Sequence, residues 1–301
     1  MDIIDETKVV LQPIHPDWYR RSVQSVSMLR LDLIHPVISG NKWYKLIRNL
    51  QHARKQGYTS ILTFGGAHSN HLVAAAAAAK AQGLKSIGIV RGKYAEQVLT
   101  DTLRDCMAAG MQLVFVNREE YAQKNDEKFI GALKRQFGRT FIIPEGGANR
   151  PGREGAELIA KFIGEETTDV CAAVGTGTTF CGLRNALPAT TRMIGFAPMR
   201  GGAYLHEKIR QHLESGYTDN WLLTDEWHFG GFAKHNDELI AFMNTFYKEQ
   251  GIPLDMVYTS KMIYGLQQMI LTGFFKKDAR IVCIHSGGLQ GNRSIQHRLE
   301  Y

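Results

Sequence analysis

SILTFGGAHSNHLVAAAAAAK, residues 60–80, runs from a β-rich segment through two glycines into a helical one, the unit of an α/β fold. A short β-rich run, SILTF (60–64), passes through Gly65 and Gly66 into an alanine-rich segment that begins at Ser69 and Asn70. The glycines let the backbone turn sharply, and Ser69 or Asn70 caps a helix whose first N–H groups have no partner inside it. Such a terminus attracts anions. Further β-rich runs follow: SIGIV (86–90), QLVFV (112–116), TFIIP (140–144), DVCAAV (169–174), MIGFA (193–197) and RIVCI (280–284). Between them, 97–109, 119–136, 153–164, 236–250 and 260–273 carry apolar residues at helical spacing. Continuous apolar strands separated by helix-length segments indicate parallel sheets with crossover helices, an α/β protein. Seven strands make either one wide doubly wound sheet or two smaller sheets with a cleft between them. The glycine-dense EGGANRPGREG (145–155) is the expected crossing between two lobes.

The chain has 301 residues, 44% hydrophobic and 22% charged, which excludes a disordered or fibrous protein. Its longest apolar run, Leu72 to Ala79, falls far short of the roughly 20 residues of a membrane-spanning helix, so no membrane segment is expected. The first residues, MDIIDETKVVLQP, are acidic and polar where a secretory signal is basic and then apolar, and the expected location is the cytoplasm. Cys106, Cys171, Cys181 and Cys283 form no C-x-x-C pair; free thiols are expected, and no metal site. The net charge of +7 is scattered rather than clustered, which favours an anionic small molecule over nucleic acid as partner.

Four motifs carry possible chemistry. In ISGNKWYKL (38–46) a Ser-Gly-Asn turn delivers Lys42 to a helix start. A lysine pair there, Lys42 and Lys45, is ordinarily solvated, but a lysine between lobes can lose solvent and become a nucleophilic amine. Next, TFGGAHSNH places Ser69, Asn70 and His71 at the C-terminal end of a strand, either as caps and first-turn residues or as ligand groups. AVGTGTTFCGL (173–183) is again strand, glycine turn and helix start. The N–H groups of Gly175 to Thr179, with the hydroxyls of Thr176, Thr178 and Thr179, suit a phosphate. Phe180 stands where a dinucleotide fingerprint needs its third glycine, so a compact monophosphate fits better than a dinucleotide. VYTSKMIYGL (257–266) and IHSGGLQGN (284–292) supply two more loop-to-helix or strand-end turns. Together they describe a site assembled from several loops around a phosphorylated ligand.

Gly40-Asn41-Lys42 with Lys45-Leu46, Gly65-Gly66 leading to Ser69-Asn70-His71, Gly175 to Thr179, Val257-Tyr258-Thr259 with Lys261, and His285-Ser286-Gly287-Gly288 occur in that order. This ordered set resembles the 1-aminocyclopropane-1-carboxylate deaminase and D-cysteine desulfhydrase family of pyridoxal-phosphate enzymes, over residues 38–301. The resemblance implies PLP fold type II, like the tryptophan synthase β subunit: two open parallel-sheet lobes with pyridoxal 5'-phosphate in the cleft. The larger, cofactor-binding lobe would be 1–44 plus 149–301 and the smaller 45–148, in a homodimer. It further implies that Lys42 carries the cofactor and later shuttles the α-proton, with Tyr258 close by. Asn70 would meet the cofactor's 3-oxygen, Gly175, Thr176, Gly177, Thr178 and Thr179 its phosphate, and Thr259 its pyridine nitrogen. Ser69, Asn70 and His71 would surround the carboxylate of a small amino-acid substrate.

Two departures separate members of the family. Ring-opening deaminases place a glutamate where this chain has Thr259, and a tyrosine near the position of Phe232 in FGGFAKHN (229–236). A hydroxyl supports a weaker electron sink than a carboxylate, adequate for expelling a thiolate. The expected activity is therefore β-elimination from D-cysteine to pyruvate, ammonia and sulfide. The alternatives are 1-aminocyclopropane-1-carboxylate deamination to 2-oxobutyrate and ammonia, or, from another class, a non-catalytic binder of a phosphorylated metabolite.

Overall fold

The computed structural model describes residues 3–19, 22–213 and 220–301. Met1, Asp2, Arg20, Arg21 and residues 214–219, all within the expected larger lobe, lie outside the described residues. The chain opens with strands β1 (Leu11–Pro13) and β2 (Ser25–Arg30), then helix α1 (Asn41–Lys55). An alternating series follows: β3 (Ser60–Gly66), α2 (Asn70–Ala81), β4 (Lys85–Arg91), α3 (Tyr94–Gln97), α4 (Asp101–Ala108), β5 (Met111–Val116), α5 (Arg118–Ala122), α6 (Glu127–Phe137) and β6 (Phe141–Ile142). The second half runs α7 (Arg150–Glu157), β7 (Asp169–Ala173), α8 (Thr178–Ala186), β8 (Arg192–Phe196), α9 (Ala203–Arg210), β9 (Trp221–Thr224), α10 (Asp237–Gln250), α11 (Thr259–Leu271) and β10 (Arg280–His285).

These strands form two sheets, not one. The smaller has the order β5-β4-β3-β6 and the larger β1-β2-β10-β7-β8-β9. All pairings are parallel except the antiparallel β1–β2 edge. The chain thus starts in the larger sheet, crosses through α1 to the smaller, and returns along 145–155 to β7. That return segment is more ordered than an open crossing. Asn149 caps α7 by accepting from the Gly152 amide at 2.9 Å, and Pro151 occupies the first turn, where its missing N–H costs nothing.

Both faces of each sheet are covered, which is why the strands read as unbroken apolar runs. Along β10, Ile281 and Cys283 pack under α10 and α11, while Val282 and Ile284 face the opposite core that includes α1 and α2. Helix α2 is buried almost all round, and its alanines let it lie close to β3 and α1.

Three differences from the sequence reading have local causes. The expected helix 119–136 is two helices, because Asp126 accepts from the Lys128 and Phe129 amides and starts α6 afresh. Helix 97–109 begins only at Asp101, capped by Thr100. Strands β1, β2 and β9 raise the expected seven strands to ten, and of TFIIP only Phe141 and Ile142 pair.

Candidate active site

In parallel sheets the C-terminal strand ends share one edge, where loops gather around ligands. The turns after β3, in the smaller sheet, and after β7 and β10, in the larger, leave such C-terminal ends; Asn70 of the first reaches Gly288 of the last, and α1 joins them through a close backbone contact. Gly40 has φ 66°, and a Cβ there would sit 2.0 Å from the Ser286 carbonyl oxygen. No other residue type fits. The contact places Asn41 N–H on that same carbonyl at 3.3 Å. The Asn41 side chain then divides its duties: Nδ2 donates to Thr179 Oγ1 at 2.9 Å, and Oδ1 accepts from Lys42 Nζ at 2.7 Å. Lys42 Nζ is 5.9 Å from the centre of the Tyr258 ring. Tyr258 lies over Gly175, where a Cβ would stand 3.2 Å from its hydroxyl oxygen. Lys42, Tyr258 and the 175–179 turn, distant in sequence, are therefore neighbours.

The turn itself is a strand–glycine–helix junction. Gly177, at φ 82°, is the N-cap of α8, and the hydroxyls of Thr176 and Thr178 lie 2.8 Å apart. The amides at the start of α8 have no intrahelical acceptors, which leaves a concave set of donors.

The facing wall comes from the β3–α2 turn. Ser69 is the cap: its Oγ accepts from the Leu72 amide at 3.3 Å. Asn70 reaches toward the β10 turn, its Nδ2 3.4 Å from the Gly288 carbonyl, while its Oδ1 is buried without a partner. His71 is 4% exposed; Nε2 meets Thr63 Oγ1 at 2.9 Å and Nδ1 is buried and unpartnered. Ser69 and Asn70 are half-buried on the rim, whereas His71 points inward, so these three residues do not share one surface.

The electrostatics follow from burial. Desolvation lowers Lys42 to about 8, against a smaller opposing pull from the Asp255 carboxylate. Burial also holds Lys45 well below the usual lysine range, reinforced by the charge of Lys42. His71 is pushed down to about 3 by burial, then by Lys45 and Lys42, and stays neutral. Tyr258 is pushed upward by burial, then by Asp255 and Glu145, and keeps its proton. Among the described residues no carboxylate forms an ion pair with Lys42 or Lys45.

Sequence reasoning missed Asp255. This buried carboxylate accepts from the amides of Val257 (3.0 Å), Tyr258 (2.8 Å) and Thr259 (2.9 Å) and from the Thr259 hydroxyl (2.7 Å). It shapes the turn that presents Tyr258 and fixes Thr259. The available signal was an aspartate two to four residues before Val257-Tyr258-Thr259, the spacing of a side chain that bonds the following amides. Phe232 also reaches the site: its ring stands edge-on to Tyr258 with centroids 6.0 Å apart.

Comparison with known proteins agrees with this arrangement. Residues 24–287 match the family described as "Pyridoxal-phosphate dependent enzyme". A Thermotoga maritima protein named "Putative 1-aminocyclopropane-1-carboxylate deaminase" is 30% identical, over 91% of this chain and 92% of that one. A Pyrococcus horikoshii protein of the same name is 29% identical, over 92% and 88%. Among solved structures, a 1-aminocyclopropane-1-carboxylate deaminase homologue superposes with a TM-score of 0.84 at 27% identity, covering 99% of this chain and 94% of that one. A hydrogen sulfide-producing enzyme from Fusobacterium nucleatum shares the fold at TM-score 0.69 and 12% identity, covering 94% and 96%. No described helix is long and apolar enough to cross a membrane. With two parallel sheets, a phosphate-type turn and a desolvated lysine at one edge, the chain belongs to the pyridoxal-phosphate dependent enzymes, among the relatives of 1-aminocyclopropane-1-carboxylate deaminase.

Proposed function

We propose that this enzyme is a D-cysteine desulfhydrase, eliminating sulfide from a small amino acid to leave pyruvate and ammonia. The residues present suit the cofactor. Lys45 is a buried amine with no carboxylate ion pair among the described residues, close enough to Lys42 for each to disfavour the other's charge. The 175–179 turn offers the Thr176, Thr178 and Thr179 hydroxyls and the amides at the start of α8, so a phosphate dianion would find hydrogen-bond donors there. Asn70, with a buried oxygen lacking a partner and a weakly used Nδ2, would meet the 3-oxygen; Thr259 would face the pyridine nitrogen. Pyridoxal phosphate, when bound through Lys42, supplies the electron sink for charge developing at the substrate α-carbon.

The protein's own part is binding and proton handling. Ser69 and Asn70, on the rim, would meet the substrate carboxylate, with neutral His71 packed behind them rather than beside it. Lys42, whose neutral form is accessible near pH 8, takes and returns the α-proton. Tyr258, held protonated, orients the reacting end and donates rather than accepts. The enzyme works as a homodimer with lobes 1–44 plus 149–301 and 45–148.

The observation that carries the substrate assignment is Thr259. It is fully buried, and its hydroxyl hydrogen goes to Asp255 at 2.7 Å, so a neutral oxygen stands where ring-opening relatives carry a glutamate. Such support suffices for a good leaving group, and Phe232 offers no hydroxyl on the side where a tyrosine serves ring opening. The second reading, 1-aminocyclopropane-1-carboxylate deamination, draws on the names of the 29–30% identical relatives. Parallel assays decide. Sulfide and pyruvate released from D-cysteine at a kcat/KM at least tenfold above 2-oxobutyrate formation is the expected result. The reverse order overturns the assignment.

A further inference from the structure

Lys261 is 2% exposed, and its ammonium meets no carboxylate within the described residues. Instead it donates to three backbone carbonyls: His228 at 2.8 Å, Gly231 at 2.8 Å and Pro198 at 3.4 Å. An ammonium has three hydrogens, and all are used. Two of the three acceptors belong to one loop, 228–234, and that loop is held in an unfavourable backbone shape. Phe229 (φ 50°) and Ala233 (φ 56°) are the only non-glycine residues at positive φ among those described, and Gly230 (88°) and Gly231 (124°) lie between them. Left-handed backbone at bulky residues persists only where the surroundings impose it. Within the loop, Gly231 N–H meets the His228 carbonyl at 3.0 Å and Lys234 N–H the Gly231 carbonyl at 3.1 Å; α11 adds two holds from outside, Lys261 on those same carbonyls and Tyr264, whose ring takes Phe229 edge-on at 4.9 Å. At the tip of the loop, Phe232 is 52% exposed and leans on Tyr258, which neighbours Lys42.

We propose that Lys261 is a positioning residue: by clasping the His228 and Gly231 carbonyls it holds Phe232 against Tyr258 and so sets the room at the substrate end of the cleft. A buried charge is costly unless its hydrogen bonds repay it, and a methionine would fill the same space without that cost. The charge is explained by what it holds. The inference rests on the cleft being the substrate site, and deepens that reading by naming the element that limits substrate size.

Amide hydrogen exchange of the holoenzyme tests the clasp without any substrate. In Lys261→Met, residues 228–234 are expected to exchange at least tenfold faster, with the β7 and β10 amides and the pyridoxal phosphate Kd unchanged within twofold. Lys261→Gln, which keeps two N–H donors, falls between. Kinetics with the preferred substrate then separate positioning from mere stability. Both Lys261→Met and Phe232→Ala raise KM more than they lower kcat, and the double variant is no worse than the poorer single one. Unchanged loop exchange in Lys261→Met, or effects on KM that multiply in the double variant, overturns the proposal. Global unfolding of both Lys261 variants would make the residue a core support and overturns it equally. Absence of sulfide release by the wild-type enzyme refutes the desulfhydrase assignment and leaves the exchange result standing.

Discussion

The 175–179 turn and the 228–234 loop both reach Tyr258, and they are built on different principles. The first is backbone chemistry: a strand ends, glycines allow the turn, and the helix that follows presents unbonded amides beside the Thr176 and Thr178 hydroxyls. Everything it needs lies within a few residues. The second makes short turns of its own, Gly231 N–H on the His228 carbonyl and Lys234 N–H on the Gly231 carbonyl, but those same carbonyls are also held from a distant helix. Its shape, with Phe229 and Ala233 at positive φ, is held from outside by Lys261 and Tyr264 of α11. The proposed cofactor end rests on local devices, while the proposed substrate end is set by contacts between distant elements.

Breaking the cofactor end should cost most. Lys42→Ala removes the only group proposed to carry the cofactor and move the α-proton, and turnover should fall by about 1,000-fold or more, measured as product release at saturating cofactor. Gly175→Ala puts a methyl 3.2 Å from the Tyr258 hydroxyl, so the ring must shift; the expected loss is about tenfold in pyridoxal phosphate affinity, read by titration of the apoenzyme. Thr259→Ala deprives the buried Asp255 carboxylate of one of its donors and should destabilise the fold by about 1–3 kcal/mol, visible as a lowered denaturant midpoint. The mildest test concerns pH. Burial disfavours the Lys42 ammonium, so its neutral, nucleophilic form gains ground as pH rises through about 8, whereas an ordinary solvated lysine waits until about 10.4. The rate at which the apoenzyme captures pyridoxal, trapped by borohydride, should follow the lower midpoint. A profile rising only near 10 would show that Lys42 is solvated.

The strand–turn–helix junction at 169–186 was legible in the sequence because its devices are local: glycines after a β-rich run, then hydroxyls, then a helix. Lys42, Ser69, Asn70 and the 175–179 turn fall at strand or helix ends for that reason. What stayed hidden depends on packing between distant segments. Strand β2, SVSMLR, mixes polar residues into its run and ends at Arg30, which can be buried because Asp32 accepts from it at 2.9 and 2.7 Å and Gln12 at 2.7 Å. Strand β9 is four half-buried residues at a sheet edge, too short for a period to emerge. Asp255 and Lys261 flank the Tyr258-Thr259 pair, yet their parts as turn-former and clasp appear only once the turn and α11 are folded against the 228–234 loop.

Lys42 is proposed to carry the cofactor at the meeting point of α1, Tyr258 and the 175–179 turn. The most direct test is borohydride reduction of the purified, pyridoxal-phosphate-loaded protein followed by peptide mapping. The account predicts a yellow protein that loses its colour on reduction and a single pyridoxyl group on Lys42. A label on Lys45, on Lys261 or on surface lysines, or a protein that stays colourless with added pyridoxal phosphate, would contradict it.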